Sequence, residues 1–172
     1  MSLARSISGA LLAAIILTTG PVRSQDSLSG TPLVLAGDLL ELSGQRLRLV
    51  GIDAPKPGQQ CLIKTRLYDC GKVSATALMD LTAGVEISCD LEGPADADGA
   101  RPARCLADDY DLSEGMVYTG WALADPEVGR RYVPFQTLAE AKQHGLWKGR
   151  FITPWDWAQG ERLPEEQNDQ EG

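Results

Sequence analysis

The chain has 172 residues, of which 43% are hydrophobic and 23% charged, and its formal net charge is −8. This length and apolar content suit one packed domain and exclude a disordered or low-complexity chain. The acidic balance works against a protein that grips nucleic acid through its phosphates, which needs a basic face, so nucleic acid is a disfavoured partner.

Residues 1–24 read as a secretory signal peptide. Arg5 precedes a short apolar run from Ile7 to Thr19, and a small-residue Val22-x-Ser24 pattern stands before Gln25. The run is short for a bilayer span, and an uncleaved anchor is the alternative. Cleavage would remove Arg5 and Arg23 and no acid, deepening the negative charge by two, and would leave no stable membrane span. The expected location is periplasmic or secreted.

Export bears on Cys61, Cys70, Cys89 and Cys105, because four cysteines in an oxidising compartment usually pair. No CxxC spacing is present, which argues against zinc. Of the three connectivities, Cys61 with Cys70 as a local clip and Cys89 with Cys105 flanking a hairpin are favoured. Each closure should contribute on the order of 2–3 kcal/mol.

Residues 25–32 read as a polar linker. LVLAGDLLEL and QRLRLVGIDAP then read as two strands joined by a turn at Ser43-Gly44. CGKVSATALMDLTAG predicts a helix over 70–84 closed by Gly84, followed by a strand in VEISCDLEG. PADADGA reads as a turn and RPARCLADD as the returning strand. DLSEGMVYTGWALA carries a capping-box pattern, Asp111 with Glu114, and VPFQTLAEAKQHGLWKG predicts a last helix ending near Gly145. From 159 to 172 the chain is acidic, with Glu161, Glu165, Glu166, Asp169 and Glu171 against Arg162, and is expected to be a disordered tail. Short strands with one inserted helix and two following helices point to a small α+β barrel rather than βαβ units.

Several residues invite a functional reading and a plainer one. His144 is the sole histidine and has no serine or cysteine partner; a dipole contact at a helix end suits it better than catalysis. Trp147, Trp155 and Trp157, and Tyr110, Tyr118 and Tyr132, could stack on a ligand but fit core packing better. Arg130 and Arg131 read as a solvated turn.

GDLLEL followed by RLRLVGIDAP, the cysteine-helix-strand unit, the DLSEGMVYTGWALA helix and the closing GLWKGRFITPWDW together resemble the thermonucleases, or staphylococcal-nuclease-like domains. The resemblance implies a five-stranded OB-fold β-barrel with three helices over residues 33–158. It also implies Ca²⁺-dependent phosphodiester hydrolysis: two aspartates and a backbone carbonyl on the ion, two arginines on the phosphate, and a glutamate that positions water. A hard cation takes oxygen ligands and polarises the phosphoryl group, while guanidinium forks stabilise the growing charge.

By resemblance, Asp38 and Asp53 are the metal aspartates, Ala54 supplies the backbone carbonyl, and Arg48 is the first phosphate arginine. The departures are as telling. The family's DGDT is AGDL here, so a carboxylate becomes Ala36 and a hydroxyl becomes Leu39. Lys56 stands where the family has glutamate, and a charged ammonium cannot accept a proton from water. Ala100 falls at the second arginine, with Arg101 beside it as a weak substitute, since a one-residue shift turns a strand side chain to the other face. Lys56 is either a solvated loop lysine or an ammonium held between Asp38 and Asp53. The expectation is therefore an exported thermonuclease-like domain with impaired catalysis, acting as a binding or structural module, and binding calcium weakly if at all. The alternative is a Ca²⁺-dependent phosphodiesterase with a rearranged base and Arg101. No specific partner is legible.

Overall fold

A computed structural model describes residues 27–170. The predicted signal peptide lies outside the described residues. Strand β9 (Arg101–Ala107) shows how the sheet is made: Ala103, Cys105 and Ala107 are buried and the residues between them are half-buried. In chain order the elements are β1 (Ser27–Gly30), β2 (Leu33–Ala36), β3 (Leu39–Leu42), β4 (Gln45–Leu49), β5 (Ile52–Asp53), β6 (Gln60–Ile63), β7 (Arg66–Asp69), α1 (Cys70–Leu81), β8 (Ile87–Leu91) and β9. They continue with β10 (Tyr110–Asp111), α2 (Leu112–Tyr118), β11 (Leu123–Ala124), α3 (Val133–Ala141), α4 (Pro154–Ala158) and α5 (Pro164–Gln170).

The main sheet runs β1-β8-β9-β4-β3-β2, with β10 paired to β9. All its pairs are antiparallel except β4 with β9. Three strands separate β1 from β3 in this order, yet a Cβ on Gly30 would lie 3.5 Å from Leu42 Cδ1. The sheet therefore curls into a half-barrel. Leu40, Leu42, Leu47 and Leu49 fill its concave face against Met116 and Val117 of α2, all essentially inaccessible. Burying one such side chain contributes about 1.5–3 kcal/mol.

The α+β class stands, and the curled sheet is compatible with an OB-like barrel. The element count differs from the expected five strands and three helices: among the described residues there are eleven strands, several of two residues, and five α-helices. The first expected strand breaks at Gly37-Asp38 into β2 and β3. The second breaks at Val50-Gly51 into β4 and β5. A hairpin of β6 with β7, absent from the sequence reading, fills the span between Cys61 and Cys70.

Two expectations about the ends are corrected. Residues 27–30 of the presumed linker form β1, registered from Ser27 on Asp90 to Gly30 on Ile87, and so satisfy the outer edge of β8. Residues 164–170 of the presumed disordered tail form α5, anchored by Leu163, which is 4% exposed, and by ion pairs of Arg150 with Glu165 and Arg162 with Glu166. The last long helix stops at Ala141, and Gly145–Lys148 forms a separate 3-10 turn, because Gln143 takes a left-handed φ of 51° between them.

Both disulfides fall where the spacing put them, Cys61 with Cys70 and Cys89 with Cys105, the latter a directly opposed cross-strand pair of β8 and β9. They suit an oxidising compartment outside the cytoplasm. Among the described residues, no helix is long and apolar enough to cross a membrane.

Candidate functional site

Asp38 lies in the tight turn between β2 and β3, which presses against α1. A Cβ on Gly37 would meet Ser74 Oγ at 1.8 Å, so only glycine permits this approach, and Ser74 is fixed in turn by donating to Trp121 O at 2.7 Å. The backbone oxygen of Asp38 accepts from Leu49 N at 2.9 Å. Its carboxylate is consequently buried, at 2% exposure. Asp53 ends β5, held opposite Leu123 of β11, and Ala54 follows it into full burial, with its Cβ against Gly37.

The loop after Asp53 delivers Lys56 back onto both carboxylates. Gln59, wholly buried, accepts from Lys56 N through Oε1 at 3.0 Å, donates its backbone N–H to Lys56 O at 2.9 Å, and donates Nε2–H to Ile152 O at 2.8 Å. Gly71, in the first turn of α1, lets the helix seat on this loop: a Cβ there would lie 2.0 Å from Lys56 O. Lys56 Nζ donates to Asp38 Oδ2 at 3.1 Å and to Asp53 Oδ1. The solvated-loop reading of Lys56 is thereby overturned, since its side chain is only 25% exposed and bridges two acids.

Electrostatics follow from this sharing. Burial works to lower the Lys56 value, but the Asp38 and Asp53 carboxylates outweigh it and hold the ammonium above the usual lysine range. Burial pushes the Asp53 carboxyl up, and Asp38 adds to that against the pull of Lys56. One ammonium for two carboxylates leaves the second acid incompletely compensated.

Arg48, on β4, points to the same place and is taken up by acids. Its Nε donates to Asp96 Oδ2 at 2.8 Å, its second fork nitrogen to Asp98 Oδ2 at 3.3 Å, and its third guanidinium nitrogen lies 3.6 Å from Asp38 Oδ2. Arg46 donates to Asp98 O at 3.1 Å. The turn between β8 and β9 is itself tied to Asp96, whose Oδ1 accepts from Asp98 N and Ala100 N at 2.9 and 3.0 Å. The hydrogen bond from Arg48 holds the Asp96 carboxyl below its ordinary value.

The substituted motif positions share one fate. Ala36, Leu39 and Ala100 pack on one another as a small buried apolar cluster at the floor of the site, with Ala100 wholly inaccessible. Arg101 does not join Asp38, Asp53 and Arg48; its Nε donates to Gly93 O at 3.1 Å, at the base of the β8–β9 turn.

Calcium requires carboxylate oxygens free to face it. Here the ammonium of Lys56 faces the two that the resemblance assigns to metal, so with Lys56 in place the donor set does not fit the ion. Among the described residues, no group of three or more His, Cys, Asp or Glu side chains is assembled for a metal.

The remaining candidates lie elsewhere. Tyr132 is buried and donates to Asp111, the N-cap of α2, which also receives Ser113 N and Glu114 N. Arg131 reaches Asp111 at 3.5 Å, and Arg130 sits exposed in the adjoining 3-10 turn. Trp147 packs edge-on against Phe151 at 5.1 Å, Trp155 flanks the Cys61–Cys70 bridge, and Trp157 lies under the Arg162 guanidinium at 4.0 Å. Tyr110 and Tyr118 are exposed, and His144 Nδ1 lies 3.0 Å from Tyr118 O. Sequence reasoning missed Gln59, Asp96 and Asp98. The alternation of acids in PADAD, opposite a strand reading RLR, was the available signal for the last two.

No family model matches the chain. It is 32% identical over 146 residues to the succinoglycan biosynthesis protein ExoI of Rhizobium meliloti (strain 1021), an alignment that covers 83% of this chain and 75% of that protein. The chain belongs to the ExoI family. ExoI kinship covers a length that only the sheet, its helices and the site together account for, so it concerns the domain and not a single motif.

Proposed function

We propose that this ExoI-family chain is an exported, nuclease-like domain that does not hydrolyse phosphodiesters efficiently and serves as a binding or structural module in glycan biosynthesis. The observation that carries the reading is the Ala36–Leu39–Ala100 cluster. Three positions that a thermonuclease-like site needs as carboxylate, hydroxyl and guanidinium have become mutually packed apolar groups. Loss of single polar residues by drift leaves voids or orphaned partners; these three fill one another's space. The base position adds to this, because Lys56 is engaged as a donor to two acids. The name of the R. meliloti relative supports glycan biosynthesis as the setting.

A DNA-hydrolysis assay in Ca²⁺ and in chelator tests the reading. The expected result is no turnover above the chelator background. Turnover that vanishes with chelator and with Asp38→Ala would overturn it. Lys56→Glu with Ala100→Arg is expected to stay at background, because the new guanidinium has no space beside Leu39. Adding Ala36→Asp and Leu39→Thr is expected to raise the rate by about 10²-fold or more, the usual contribution of a placed base and oxyanion donor.

A further inference from the structure

We infer that Lys56 is a tethered cation, an ammonium built into the chain at the point where the Asp38 and Asp53 carboxylates converge, and that it masks a divalent-cation site which its removal would open. The geometry sets three conditions for this. First, both acids direct an oxygen at the same nitrogen, Asp38 Oδ2 at 3.1 Å and Asp53 Oδ1 in direct contact. Second, the nitrogen is not placed by a free side chain on a free loop. Gln59 holds the Lys56 backbone from both its amide and its carbonyl, and the absence of a Cβ on Gly71 lets α1 close on it. The Cys61–Cys70 bridge pins that helix start. Third, the charge is needed where it is: Asp38 is 2% exposed, and a buried carboxylate without a compensating charge or hydrogen bonds is strongly disfavoured.

A covalently attached cation needs no ion from solution and pays no binding entropy. It also supplies one charge where a divalent ion supplies two. Take the ammonium away and the two carboxylates face one another with only Arg48, 3.6 Å from Asp38, as relief. Arg48 is committed to Asp96 and Asp98. A hard divalent cation is then the ligand that the arrangement calls for, since both faces are carboxylate oxygen. Cation binding and hydrolysis are separable here, because the readout is a melting temperature and not turnover.

The test compares the full chain, as wild type and as Lys56→Gln, by thermal unfolding and calorimetry with CaCl₂ against chelator at matched ionic strength. Wild type is expected to show no Ca²⁺ heat and no shift. Lys56→Gln is expected to melt lower than wild type in chelator. It should rise by about 3–5 °C when free Ca²⁺ reaches roughly tenfold over its dissociation constant. Lys56→Gln with Asp53→Asn should lose that response. A Ca²⁺-induced shift in wild type equal to that of Lys56→Gln, or a folded Lys56→Gln that ignores Ca²⁺, would overturn the inference. Should Lys56→Gln not fold, nitrogen-detected NMR of the wild-type lysine ammonium decides. A slowly exchanging Lys56 NH₃⁺ unmoved by millimolar Ca²⁺ supports the tether, and its displacement by Ca²⁺ overturns it.

Discussion

Lys56 concentrates the energetics of the site in one nitrogen. Truncating it to methionine keeps the apolar stem but leaves two carboxylates to repel, one of them buried. Lys56→Met is expected to cost about 3 kcal/mol at neutral pH, the low end for breaking a buried pair because Asp53 retains some solvent. Urea denaturation measures this. The pH dependence has a definite sign. The folded value of Lys56 lies above its unfolded one, so the stability it contributes is complete below the ordinary lysine value of 10.5. That stability fades as pH climbs through the raised folded value. The gap between wild type and Lys56→Met should therefore narrow above pH 10.5, and a gap that widens there would contradict the pairing. The identity of Lys56 as a departure was legible in the sequence. Asp38 and Asp53 were legible as its partners only as one of two readings, because the choice depends on a loop whose path is set by Gln59, a residue with no pattern around it that announces burial.

At the level of elements, the site depends on how closely α1 approaches the loops around it. Gly71→Ala offers a clean contest between two effects. Helix propensity favours alanine by about 1 kcal/mol, whereas a methyl 2.0 Å from Lys56 O must displace backbone and costs about 2–3 kcal/mol. The clash wins, so a net loss of about 1–2 kcal/mol is expected in equilibrium unfolding, and the pairing of Lys56 should loosen with it. Removing the Cys61–Cys70 bridge by a double serine variant is expected to cost about 2.5 kcal/mol for a separation of 9 residues. Alternation made the strands around residues 33–53 readable, and the capping pattern of Asp111 made α2 readable. The breaks at Gly37 and Gly51 were not, because each is imposed by a distant group. Ser74 crowds the first, and Tyr132 Cε2 would lie 2.7 Å from a Cβ at the second. The β6–β7 hairpin escaped notice for a local reason: its turn uses Lys64 at φ 56° where glycine or asparagine would have signalled it.

For the whole molecule, the acidic C-terminal segment is where composition misled. Charge density argued for disorder, yet one leucine, Leu163, inserts and α5 follows. Truncation after Ala158 is expected to lower stability by about 2 kcal/mol, the burial of a leucine side chain, the exposed Arg150–Glu165 pair adding little. No change in the urea midpoint on truncation would return the segment to the status of a loose tail. The half-barrel itself carries a further consequence. Among the described residues its first strand, β1, pairs only with β8, with Ser27 seated opposite Asp90. A ribosome makes the N-terminal strand long before its partner, and contacts so distant in sequence form slowly. Closure of the sheet therefore waits until Ile87–Leu91 has been made, so its seam zips late.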